Sequence, residues 1–183
     1  MDNNNIKTSL AFFVIVATLG LAIAFTTTVQ RGMASSSDAG NFTNTINPVT
    51  LGNPYFVEYD KTTSQKPTVI NGTHATEITF SGHGTAKDIN FTDNGNALII
   101  PRGGLAVLLK GKDNLVSSAG DKASLNFMEL GHVDGNGMVK ANGAFHDTSA
   151  TGKLAYLSNT VSVYTDEVNK HGNGKVVAWE WNK

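Results

Sequence analysis

Histidines and carboxylates are the side chains in this sequence best suited to chemistry. The chain carries five histidines and no cysteine. Without thiolates, histidine with carboxylate is the ligand set left for zinc or copper. His83, His132 and His146 are the metal candidates. His132 and His146 flank the turn Asp134 to Gly137, and pairing about that turn sets His132 opposite Val139 or a neighbour. His146 then sits well up the partner strand, so the two are not a ready-made pair. Glu129 and Asp147 are local carboxylate partners, and three such groups must converge to make a site. The alternative is that these are turn and strand-end histidines in water.

Glu58, Glu77, Glu129 and Glu180 fall in strand-like stretches. An inward one would have its pKa raised by burial and would serve as an acid. Alternation alone does not choose which one faces inward. The stretches beginning at Asp93 and Asp134 have a faint likeness to calcium loops, but their twelfth positions are Gly104 and Phe145 rather than the bidentate Glu. Hairpin turns explain both better. Phe80, Phe127, Tyr156, Trp179 and Trp181 are the candidates for lining a ligand pocket, the indole N–H groups acting as fixed donors. The alternative is that they fill the interior by packing. The sequence has no nucleophile elbow and no phosphate-binding Gly-rich loop, so it assigns no catalytic residue and no cofactor.

The elements that position these residues read as strands. Nineteen glycines and four prolines oppose a mostly helical chain. Short apolar or alternating runs cover residues 54–60, 73–81, 87–91, 97–100, 105–109, 113–118, 122–132, 138–146 and 175–181. The stretch 153–168 is less regular, with Thr160 to Thr165 alternating and a helical turn expected near Asp166 to Asn169. Asp93-Asn94-Gly95 reads as a hairpin turn, as do Arg102 to Gly104, Ala119 to Asp121, Asp134 to Gly137 and Gly172 to Gly174. About eight to ten strands joined by short polar turns, with no long amphipathic helix between them, exclude a parallel α/β fold. The expected fold is all-β, an antiparallel up-and-down barrel of about eight strands, which also removes exposed edges.

The N-terminus reads as a targeting segment. Leu10 to Phe25 is an uncharged apolar run preceded by Lys7, and Ala34 ends a small-residue cleavage site. The alternative is an uncleaved anchor, since Thr26 to Val29 extend the run toward a bilayer's span. The expected organisation is a signal peptide or N-terminal hydrophobic helix anchored in the membrane over 1–34, a flexible polar spacer over 35–53, and the barrel over 54–183. The location is then extracellular or at the cell surface, membrane-anchored or secreted. Asn41, Asn71 and Asn90 stand in glycosylation sequons. The charge balance is 14 basic against 15 acidic residues with no basic stripe, which argues against nucleic acid as a partner.

Three stretches carry a family resemblance: Thr148 to Leu157 (TSATGKLAYL), His83 to Thr85 (HGT) before an early strand, and Gly143 to Phe145 (GAF) late in the chain. The chain from about Glu58 to Trp181 resembles the allene-oxide-cyclase-like barrels, a group that includes dirigent-like proteins. It is also similar to exported archaeal proteins of unassigned activity. The resemblance implies an eight-stranded antiparallel barrel with an apolar cavity. Family members include a fatty-acid epoxide cyclase and proteins that steer radical coupling. None of their active residues matches a position here, so none is carried over. The expected function is a barrel that binds a small apolar or amphipathic ligand or serves a structural role in the envelope. The alternatives are a cyclase or isomerase acting on a hydrophobic substrate, and a histidine-based metal-binding protein.

Overall fold

A computed structural model describes residues 51–181. The expected leader or anchor, nearly all of the spacer, and the sequon at Asn41 lie outside the described residues. The described chain forms β1 (Phe56–Ile70), β2 (Thr73–Ala86), β3 (Ile89–Gly103), β4 (Ala106–Ser117), β5 (Lys122–Val133), β6 (Val139–Ala150), the 3-10 helix η1 (Gly152–Asn159), β7 (Val161–Val168) and β8 (Asn173–Glu180). Each strand pairs antiparallel with the next, and β8 pairs with β1 to close the ring. The all-β, eight-stranded antiparallel expectation therefore holds.

Local chemistry explains the connections. Asn71 and Gly72 both take positive φ in the two-residue turn joining β1 to β2, the backbone such hairpins require. Asp134 Oδ1 accepts hydrogen bonds from the Asn136 and Met138 amides at 2.8 and 2.9 Å, which organises the β5–β6 turn. Its carboxyl pKa is lowered by these bonds. The register there pairs Val133 with Val139 and His132 with Lys140.

Several element expectations are corrected. Asp93-Asn94-Gly95 is no turn: it lies in mid-β3, paired with Gly82, Ser81 and Phe80 of β2. The short runs 87–91 and 97–100 are thus parts of one strand. Runs 105–109 and 113–118 likewise merge into β4, and β1 continues past residue 60 to Ile70 through a bulge at Thr62–Ser64. Leu154 to Leu157 is a 3-10 helix, and the chain through Asp166 to Val168 is strand rather than a helical turn.

One end of the ring is filled. Leu154 and Leu157 of η1 are fully buried against Phe56, Phe91, Leu115, Leu125, Phe145 and Tyr164. The Phe56 ring stacks on Phe91 at 5.1 Å between centroids and packs against Phe145 at 5.3 Å. Helix η1 takes an apolar turn inward because the β6–β7 link crosses that end. The other connections join neighbouring strands through short turns.

Candidate functional site: an acid-lined interior

Strand alternation carries acids inward just beyond the apolar plug. Glu58 and Asp60 follow Phe56 at two-residue steps, Asp93 follows Phe91, Asp113 precedes Leu115, Glu129 follows Phe127 and Asp166 follows Tyr164. Parity puts all six on the inner wall. Asp93, Asp113 and Glu129 are each 4% exposed, and Glu58 and Asp166 are also buried. Small residues stand beside them across the strands: Gly84 beside Glu58, Gly82 beside Asp60 and Asp93, Gly95 beside Asp113, Gly143 beside Glu129, and Ala141 beside Asp166. These leave the room that the carboxylates occupy. A Cβ on Gly82 would stand 2.8 Å from Asp93 Oδ1.

Cations are kept out of this interior. Every described Lys, Arg and His is exposed. The ion pairs of Lys87 with Glu180 and of Lys140 with Glu167 leave the six acids aside. Burial therefore dominates their titration, since a carboxylate in low dielectric loses its hydration. Burial and the neighbouring Asp113 and Asp93 push Glu58 well above its ordinary value. Burial pushes Asp60 up to about 6. Burial and then Asp60 push Asp93 up to about 7. Asp113 rises to about 8 through burial and Asp93, and Asp166 to about 8 through burial and Glu129. Glu129 rises to about 7 through burial, although the Tyr164 hydroxyl donates a hydrogen bond to it.

Their hydrogen bonding is incomplete. Both Asp93 oxygens, Asp113 Oδ1, Asp166 Oδ1 and Glu129 Oε2 have no hydrogen-bond partner. The Asp93 and Gly82 amides near Asp93 lower its pKa only in part, and neither aligns as a full hydrogen bond to an Asp93 oxygen. Buried polar atoms are normally paired, so a group of such orphans asks for a partner of opposite charge or for shared protons. Glu58, Asp93 and Asp113 bring one oxygen each to within 4.8 Å of one another.

The residues singled out in the sequence are scattered. Phe80 and Phe127 do face inward, in edge contact at 6.1 Å. Tyr156 lies on η1, with its ring against Tyr55 and under the Lys87 ammonium at 4.3 Å. Trp179 and Trp181 do not line the interior. Parity turns Ala178 inward and Trp179 outward, beside a surface groove with Leu51 and Val163, and Trp181 is 50% exposed. His83, His132 and His146 sit exposed on three different strands, and the ring's register brings no two of them together. Among the described residues the convergent ligand group is the acidic one, and no histidine belongs to it. His83 instead stacks on Tyr59, 6.1 Å between centroids. Asn71 and Asn90 are both exposed.

Of the acids, the sequence pattern puts Glu58 and Glu129 in strands without fixing their faces, and it misses Asp60, Asp93, Asp113 and Asp166 as a group. A signal is nonetheless present. In each of five strands an acid shares parity with a large apolar residue two positions away.

No family model and no curated protein matches this sequence. Solved structures do share its fold. A protein of unknown function from Clostridium acetobutylicum ATCC 824 superposes with a TM-score of 0.57 at 11% identity, over 70% of this chain and 96% of that one. A conserved protein of unknown function from Rhodopseudomonas palustris gives 0.57 at 13%, over 72% and 97%. A beta-barrel like protein from Acinetobacter baumannii AYE gives 0.56 at 16%, over 74% and 98%. At such identities the likeness is one of fold, an eight-stranded barrel-like ring.

Proposed function

We propose that this chain is an extracellular binding barrel, exported and either secreted or anchored through its N-terminal segment, whose interior takes a positively charged guest. One observation carries the reading: six inward carboxyl groups share a space from which every described basic side chain is excluded. A purely structural interior of that size gains more from apolar packing, because buried acids without partners cost stability. Retaining them is the pattern of a site. The apolar ligand expected from the sequence loses support, because the two tryptophans face outward and the apolar end is filled by Phe56, Phe145 and η1. The placement among allene-oxide-cyclase-like barrels, the likeness to exported archaeal proteins, and glycosylation at Asn71 and Asn90 belong to the same proposal.

A second reading, a cyclase or isomerase, is favoured by Asp93 and Glu129, whose carboxyl groups sit near neutrality and suit proton transfer.

The test is a thermal-shift panel on the full chain in detergent at pH 7.5, with cationic, neutral apolar and anionic compounds. Cations raise the melting temperature and the others leave it unchanged. A shift by apolar or anionic compounds with none by cations overturns the reading.

A further inference from the structure

The interior favours one kind of positively charged guest, and the identity of that guest rests on the cation-binding function proposed above. We propose that Glu58, Asp93 and Asp113 together coordinate one hard divalent cation of the calcium, magnesium or manganese class. Strands β1, β3 and β4 supply one side chain each, and the three ligand atoms lie within 4.8 Å of one another. Hard divalent ions hold oxygens at about 2.0 to 2.6 Å, so ligands on opposite sides of one ion stand about 4.0 to 5.2 Å apart.

The second observation is independent of the clustering. The residues are 5%, 4% and 4% exposed, and both Asp93 oxygens and Asp113 Oδ1 lack any hydrogen-bond partner. Acids clustered for structure alone would have their oxygens fully bonded, as the exposed Asp134 has Oδ1 bonded to two amides, whereas the Asp93, Gly82 and Asn114 amides near these acids offset their raised pKa values only in part. Asp93 packs over the bare backbone of Gly82, where a methyl group would crowd Oδ1. Three carboxylate oxygens within 4.8 Å of one another match the oxygen shell of a bare ion rather than the bulk of an alkylammonium group. The donors are all carboxylate oxygens, which suit hard ions rather than zinc or copper. Glu129 and Asp166, further round the wall, add negative field without joining the three.

The test is titration calorimetry on the chelator-treated full chain, with calcium, magnesium and manganese chlorides in turn and with trimethylammonium and spermidine as organic cations. Variants are Asp93→Asn, Asp113→Asn and, as a control in the same interior, Glu129→Gln. Circular dichroism checks that each variant keeps its strand content. At least one metal binds with a stoichiometry near one. Asp93→Asn and Asp113→Asn each weaken it by roughly tenfold or more, the scale that even outer-sphere changes reach, and Glu129→Gln weakens it less. Binding of an organic cation alone overturns the metal assignment and leaves the cation reading standing. Binding of no cation overturns both. Metal binding that survives both Asp variants overturns the assignment to these residues.

Discussion

Asp113 shows what the interior costs the protein and why the sequence alone hides it. Its carboxyl group, buried beside Asp93, has one oxygen with no partner. An amide of nearly the same shape carries no charge to desolvate. Asp113→Asn should therefore stabilise the cation-free chain at pH 8 by on the order of 1 kcal/mol, read from urea unfolding in the presence of chelator. Destabilisation there would mean that the charge is already compensated. In the sequence, Asp113 opens the run 113–118, and nothing there marks its side chain as inward. Alternation places the glutamates in strands without telling one face from the other. In β8 that alternation sets Val177 and Trp179 on the face opposite Ala178, which is the outer one. Ala178 turns inward because its neighbours Phe56 and Tyr164 fill that layer.

Strand β3 shows how an element overrides its local signals. Asn94-Gly95 is a strong turn signal because glycine accepts positive φ. Here Gly95 is needed for its missing side chain: a Cβ would run into the Phe80 ring and stand 2.6 Å from the Lys112 carbonyl oxygen. The local preference yields to an inward ring that packs onto the bare backbone of the neighbouring strand. Gly95→Ala should then destabilise the barrel by about 1 to 3 kcal/mol by overpacking. A neutral result in denaturant titration would return the segment to a turn. The true turns, such as Asp134 to Gly137, are legible because the side chain that organises them is local. Helix η1 is not legible, since the two leucines that define it are fixed by contacts with distant strands. Leu157, 1% exposed, plugs the filled end. Leu157→Ala should cost about 2 to 5 kcal/mol in the same assay, with no effect on cation affinity.

At the scale of the whole molecule, the acidic interior ties stability to pH. Asp166 at about 8 and Glu129 at about 7 have folded-state pKa values far above the 3.8 and 4.5 ordinary for their types. Asp60 at about 6 acts in the same direction. Below about pH 4 both folded and unfolded chains hold these protons, and the stabilisation is complete. Between about pH 4 and pH 8 the unfolded chain has released them while the folded chain has not, so stability falls as pH rises. The lowered Asp134 works the other way, but only under more acidic conditions. The chelator-treated chain should therefore lose on the order of 10 °C in melting temperature from pH 4.5 to pH 8, measured by calorimetry at constant ionic strength. A bound cation lifts the folded state where the carboxyl groups are ionised, so saturating cation should flatten or reverse that slope. A melting temperature that climbs steadily over the same range without cation would show that these six groups titrate as if in water. The barrel wall would then need another reason to turn its acids inward.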